Sequence, residues 1–142
     1  MREAVMVALA SAVLTLTSAG PVWTQTTGTP PVIPDNATVL EGQPTVRVDA
    51  TKEGATRHKL DRAEATRQTL KISAANGRYY WTSRDNRPLT LTTSGDFLYL
   101  STEPGRYVRI RKINDRFAYV EHVDTEFGSV TYWGELRIVL RK

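Results

Sequence analysis

Cysteine is missing from all 142 residues. Its absence excludes a disulfide framework, a thiolate nucleophile and any cysteine-based zinc site. A domain made from this chain must be held by packing and strand hydrogen bonding. Histidine is nearly as scarce, limited to His58 and His122. Neither a nucleophile elbow nor a phosphate-cradling glycine loop occurs, and no motif implies a cofactor or a metal. The chain also lacks an apolar run of membrane-spanning length. Its longest, Ala4 to Thr17, is broken only by Ser11 and Thr15, and it falls short of the roughly 20 residues a spanning helix needs.

That run has its own meaning. Met1-Arg2-Glu3 precedes it, and Ser18-Ala19-Gly20-Pro21 follows it with small residues and a turn former. A short n-region, an apolar h-region and small residues before a cut form the tripartite secretory pattern. The reading is a signal peptide over 1–19, cleaved after Ala19 with Thr17 at the −3 position, and a mature protein that is secreted or periplasmic. A cut nearer Gln25 is the alternative site. An uncleaved anchor or a buried strand is the alternative structure, and membrane contact would come only through that uncleaved segment.

Composition bounds the rest. Hydrophobic residues make up 40% and charged residues 24%, ordinary globular usage that excludes global disorder and suits one modest core. Nineteen Lys and Arg against fifteen Asp and Glu leave a charge of +4, which biases encounters towards anionic surfaces or polymers.

Along the chain, Gly20 to Asn36 is rich in Thr and Pro, a composition that favours an extended linker. Residues 37–142 read as one β domain. A first strand is expected at Thr45 to Ala50, followed by an ambiguous stretch, Thr51 to Thr66, suited to a short helix or a long loop. Beyond Arg67 apolar and polar residues alternate strand after strand. Asn76-Gly77 is the strongest two-residue hairpin signal in the sequence. Further turn residues cluster at Asp85-Asn86, Ser94-Gly95-Asp96, Pro104-Gly105, Asn114-Asp115 and Gly128, and Gly134 separates two last short strands. The pattern predicts an all-β fold, a single antiparallel meander of about eight strands forming a small barrel or sandwich. Gaps this short leave no room for parallel crossovers.

The segment Arg78 to Leu89 resembles a stretch found in small, uncharacterised bacterial secreted proteins. Tyr107 to Ile110, Tyr119 to His122 and Val130 to Gly134 are similar to segments of the same group. The resemblance implies a shared secreted β domain and carries no site with it.

Three sets of residues invite a functional reading. In Tyr79-Tyr80-Trp81, strand alternation puts Tyr79 and Trp81 on one side and Tyr80 on the other. With Tyr132 and Trp133 later in the chain, these rings suit either a sugar-stacking or peptide-binding face or the core. Around Tyr107, Val108 and Ile110 should point inward and leave Tyr107, Arg109 and Arg111 outward. From Arg106 to Arg116 five cations face one acid, Asp115. Arg137, Arg141 and Lys142 would extend a basic face if the last strand lay beside this one. Such a face suits phosphate or uronate polymers, or else is a solvated strand whose cations discourage edge pairing. The candidate binding residues are therefore Tyr107, Arg109, Arg111 and Trp81. Finally, Glu121-His122 with Asp124 nearby suggests acid–base chemistry, but neighbouring strand residues point to opposite faces. Only His122 and Asp124 are expected on one face, with His58 as a further candidate. Arg84-Asp85-Asn86-Arg87 reads as a hydrogen-bonded turn.

The function expected is a non-catalytic binding or structural module of the cell envelope. Its partner would be a protein, a polyanion or a glycan, and not a specific nucleic acid. A small hydrolase using His122, and a barrel carrying a hydrophobic ligand, are the alternatives.

Overall fold

The computed structural model describes residues 28–142. The signal-peptide segment 1–19 and the first part of the linker, 20–27, lie outside the described residues. Nine strands and one short helix follow in order: β1 (Ala37–Thr51), β2 (Gly54–Lys59), α1 (Arg62–Arg67), β3 (Leu70–Ala75), β4 (Arg78–Trp81), β5 (Arg87–Ser94), β6 (Phe97–Glu103), β7 (Arg106–Ile113), β8 (Arg116–Thr125) and β9 (Gly128–Leu140).

From β3 to β9 each strand pairs antiparallel with the next, and β9 returns to pair with β1 along nearly its whole length. That last pairing closes eight strands into a barrel. The expected meander is present, and it is a barrel. β2 stands outside the ring, bonded to β1 alone among the strands.

Turn chemistry sets the register. Asn76 and Gly77 both adopt positive φ, 51° and 71°, as a type I′ hairpin requires. Asn114 and Asp115 do the same at 47° and 63°, joining β7 to β8. Alternate side chains then face inward, where Leu40, Leu70, Ile72, Trp81, Leu100, Val108, Ile110 and Tyr119 form one buried cluster.

Several boundaries differ from the sequence reading. β1 starts at Ala37, not Thr45, because its other edge changes partner: residues 39–42 pair with β3 and residues 46–51 with β2. Pro44, which has no N–H to offer a ladder, sits at the irregularity between the two. The ambiguous stretch holds both β2 and α1, whose first turn is fixed by a capping box between Asp61 and Glu64. The two last short strands are one continuous β9 running through Gly134. β9 lies between β8 and β1 and does not touch β7. Upstream, Pro31 is buried and Ile33 packs against the core, so the packed domain reaches into the segment read as linker.

Candidate functional site

The outer surface of β6–β9 is built in rows, because residues opposite one another in an antiparallel sheet share a face. The central row runs Tyr99, Arg109, Val120, Trp133. On one side of it lies Ser101, Tyr107, His122, Thr131, and on the other Arg111, Ala118, Glu135, with Phe97 ending β6 beside Arg111. The rings of Phe97, Tyr99, Tyr107 and His122 form a chain, with centroids 6.2, 6.0 and 5.1 Å apart. The Arg109 guanidinium lies over Phe97 at 4.6 Å and that of Arg111 at 5.7 Å, both within cation–π range.

Charge around this face is less free than the sequence suggests. Arg106 reaches Glu103, Arg111 reaches Asp96, Lys112 reaches Asp115 and Arg116 reaches Glu135, at 3.0–3.5 Å. Among the described residues Arg109 alone of these five cations pairs with no carboxylate, and its Nε is shielded from solvent without an acceptor. Beside it a groove of about 450 Å³ is lined by Phe97, Arg109, Arg111, Val120 and Trp133, with Trp133 37% exposed.

Of the four candidate binding residues, Tyr107, Arg109 and Arg111 therefore share the outer face. Trp81 does not. Alternation along β4 turns it inward with Tyr79, and it is 2% exposed in the core, so it takes no part in this surface. Phe97, Tyr99 and Trp133 take its place; the sequence could not say which strands would be neighbours, and so did not bring these rings to Arg109.

The histidines stay apart. His58 on β2 pairs with Asp49 at 3.2 Å. On β8, His122 engages Thr131 Oγ1 through Nδ1 at 2.9 Å and Asp124 through Nε2 at 3.0 Å, and its ring stacks on Tyr107. Both ring nitrogens of His122 are occupied within the protein. Among the described residues no group of three or more His, Asp or Glu is placed to hold a metal ion.

Glu121 faces the opposite way, as alternation requires, and is fully buried inside the barrel. There it meets Arg84, which the β4–β5 turn sends inward, with Nε 2.9 Å from Oε1. The contact is an ion pair rather than an aligned hydrogen bond. Arg84 also lies 5.8 Å from the Tyr132 ring, as does Arg47, which is held by Asp49 at 2.7 Å. Tyr119 and Tyr132 complete the surroundings. Burial pushes the Glu121 carboxyl up to about 7, against the opposing pull of Arg84, and burial likewise raises the Tyr119 and Tyr132 hydroxyls.

A pH dependence follows. Between the ordinary carboxyl value of 4.5 and about 7, the folded protein keeps a proton that the unfolded chain has released. Unfolding free energy is thus expected to fall as pH rises through that window and to level off above it, by about 1.4 kcal/mol for each unit separating the two values. Urea unfolding of wild type and Glu121→Gln across the window isolates the slope in the difference between the two curves. A flat difference would mean that the carboxyl titrates at its ordinary value.

Comparison of the chain with protein-family models, with curated proteins and with solved structures finds no match.

Proposed function

We propose that this protein is a non-catalytic binding module of the periplasm or cell exterior that meets an anionic partner with the outer face of β6–β9. The observation that carries the reading is Arg109, a guanidinium set on an aromatic ring beside a groove and left without a carboxylate partner among the described residues. A cation held in this way is pre-organised for an external anion and loses little freedom on meeting one. The non-catalytic part is supported by the engagement of both His122 nitrogens and by the separate aspartate partners of the two histidines, Asp49 for His58 and Asp124 for His122. An interior packed with Leu, Ile, Trp and Tyr side chains weighs against a carrier of hydrophobic ligands. The location rests on the secretory pattern of Met1 to Ala19.

The test is retention on a dextran sulfate column. The full chain is expected to bind at low salt and to elute earlier when Arg109 and Arg111 are both changed to Glu, since the response to salt scales with the cations engaged. Elution at an unchanged salt concentration would remove this face from the account.

A further inference from the structure

Resting on that reading, we infer that the face takes an extended acidic glycan, with sugar rings against Tyr99, Tyr107 and Trp133 and a uronate carboxylate on Arg109. A second groove, of about 500 Å³, lies on the other flank of Tyr99 and Tyr107. Its lining includes Thr90, Thr92, Ser101 and Thr102, and Thr92 and Thr90 stand opposite Tyr99 and Ser101 in register. A path across the strands therefore begins on hydroxyls at β5, crosses two tyrosine rings, passes the Arg109 guanidinium and ends at Trp133 on β9. Five strands at the usual spacing make that path about 19 Å along the sheet, curving around half of the eight-strand ring, so several linked sugars would follow the curve of the barrel.

Each part matches one part of an acidic sugar. The C–H faces of a pyranose are apolar and lie well on aromatic rings. Its rim of hydroxyls exchanges hydrogen bonds with Thr, Ser and Tyr hydroxyls, which act as donor or acceptor. Its carboxylate fits the planar fork of an arginine. His122, fixed by Thr131 and Asp124, stacks on Tyr107 and holds that ring in place.

The same features disfavour other polyanions. A nucleic acid carries a phosphate at every step and is met by rows of free cations. Here four of the five neighbouring cations are already committed to acids. An anionic membrane calls for clustered cations in the same way. A guanidinium left without a carboxylate among the described residues, set among rings and hydroxyls, suits a chain whose charges are spaced out between neutral faces.

Affinity electrophoresis of the full chain tests the assignment with three probes: polygalacturonate, its methyl-esterified form, and a single-stranded oligonucleotide of matched charge. Polygalacturonate is expected to retard the protein. Methyl esterification and Arg109→Gln should each weaken binding roughly tenfold, the loss expected for one charge-assisted contact. Trp133→Ala and Tyr107→Ala should weaken it too, with thermal melting checked so that lost binding is not lost folding. Equal retardation by the oligonucleotide would overturn the glycan assignment while leaving the anion-binding reading intact. Equal binding of the methyl ester would overturn the role of Arg109. No retardation by any probe, together with no retention on dextran sulfate, would overturn both.

Discussion

Replacing Arg84 with Ala is expected to destabilise the domain by roughly 3 kcal/mol, the low end of what breaking a buried ion pair costs. The reason lies with the partner left behind. Glu121 is fully buried, and Arg84 is its only cationic contact within ion-pair distance among the described residues. Without that guanidinium the carboxylate must stay ionised in an apolar interior or take up a proton. Arg84 keeps 25% of its side chain exposed, so solvent can relax towards the gap, which sets the figure at the low end. Above pH 7 the penalty should be largest, and in acid it should shrink as Glu121 protonates. The pair of changes Arg84→Met with Glu121→Leu removes both charges and is expected to recover most of the loss, because well-packed apolar groups replace buried pairs at little cost. Urea unfolding above pH 7 of the single and double variants checks the order. A single variant as stable as wild type would show that the contact carries no buried charge.

Gly134→Ala should be at least as damaging, by a different route. A methyl at this position would fall inside the Gln43 carbonyl and within 2.8 Å of Pro44 Cα. Both obstacles are main chain, and they belong to the partner strand at the irregularity where β1 passes from β3 to β2. A flexible side chain could swing aside; this backbone moves only if the β1–β9 seam opens. Overpacking of this kind costs roughly 3 kcal/mol or more. The control is Gly95→Ala, where φ is 59° but nothing lies within 4 Å, so only local strain of roughly 1 kcal/mol applies. Thermal melting followed by circular dichroism should rank wild type, then G95A, then G134A. A G134A protein melting with the wild type would mean that the seam has slack at this point.

These two sites also mark where the sequence was legible and where it was not. Period two beyond residue 67 was enough to place Val108 and Ile110 inside, Tyr107, Arg109 and Arg111 outside, and Glu121 and His122 on opposite faces. Asn76-Gly77 announced its hairpin because positive φ at both positions is a local demand. What stayed hidden were properties that depend on distant chain. Gly134 looked like punctuation, since a glycine that breaks a strand and one that lets two backbones approach are identical in sequence. Strand was expected only from Thr45, and residues 37–44 contain Gly42 and Pro44; the place of Gly42 in the strand is set by the distant Tyr119 ring lying against it. Arg84 read as part of a charged turn, and only the fold reveals an acid beneath it. For the candidate face, alternation oriented Tyr107, Arg109 and Arg111, but only strand order shows that Phe97, Tyr99 and Trp133 join Arg109 while Trp81 faces the core. Ion pairing then silenced most of the basic run, which no count of charges foretells.

The return of β9 to β1 has a consequence for how the chain folds. Consecutive hairpins from β3 onward can pair early in folding, since their partners are adjacent in sequence. The flank of β1 that pairs with residues 128–140 has no mate until that distant segment reaches it, and contacts of such long range form slowly. Until that pairing forms, the sheet is open and has two edges. Its exposed rims are where neighbouring copies could pair; the Arg, His and Lys of β2 cover only the opposite flank of β1, so the rim that awaits β9 is left without that protection.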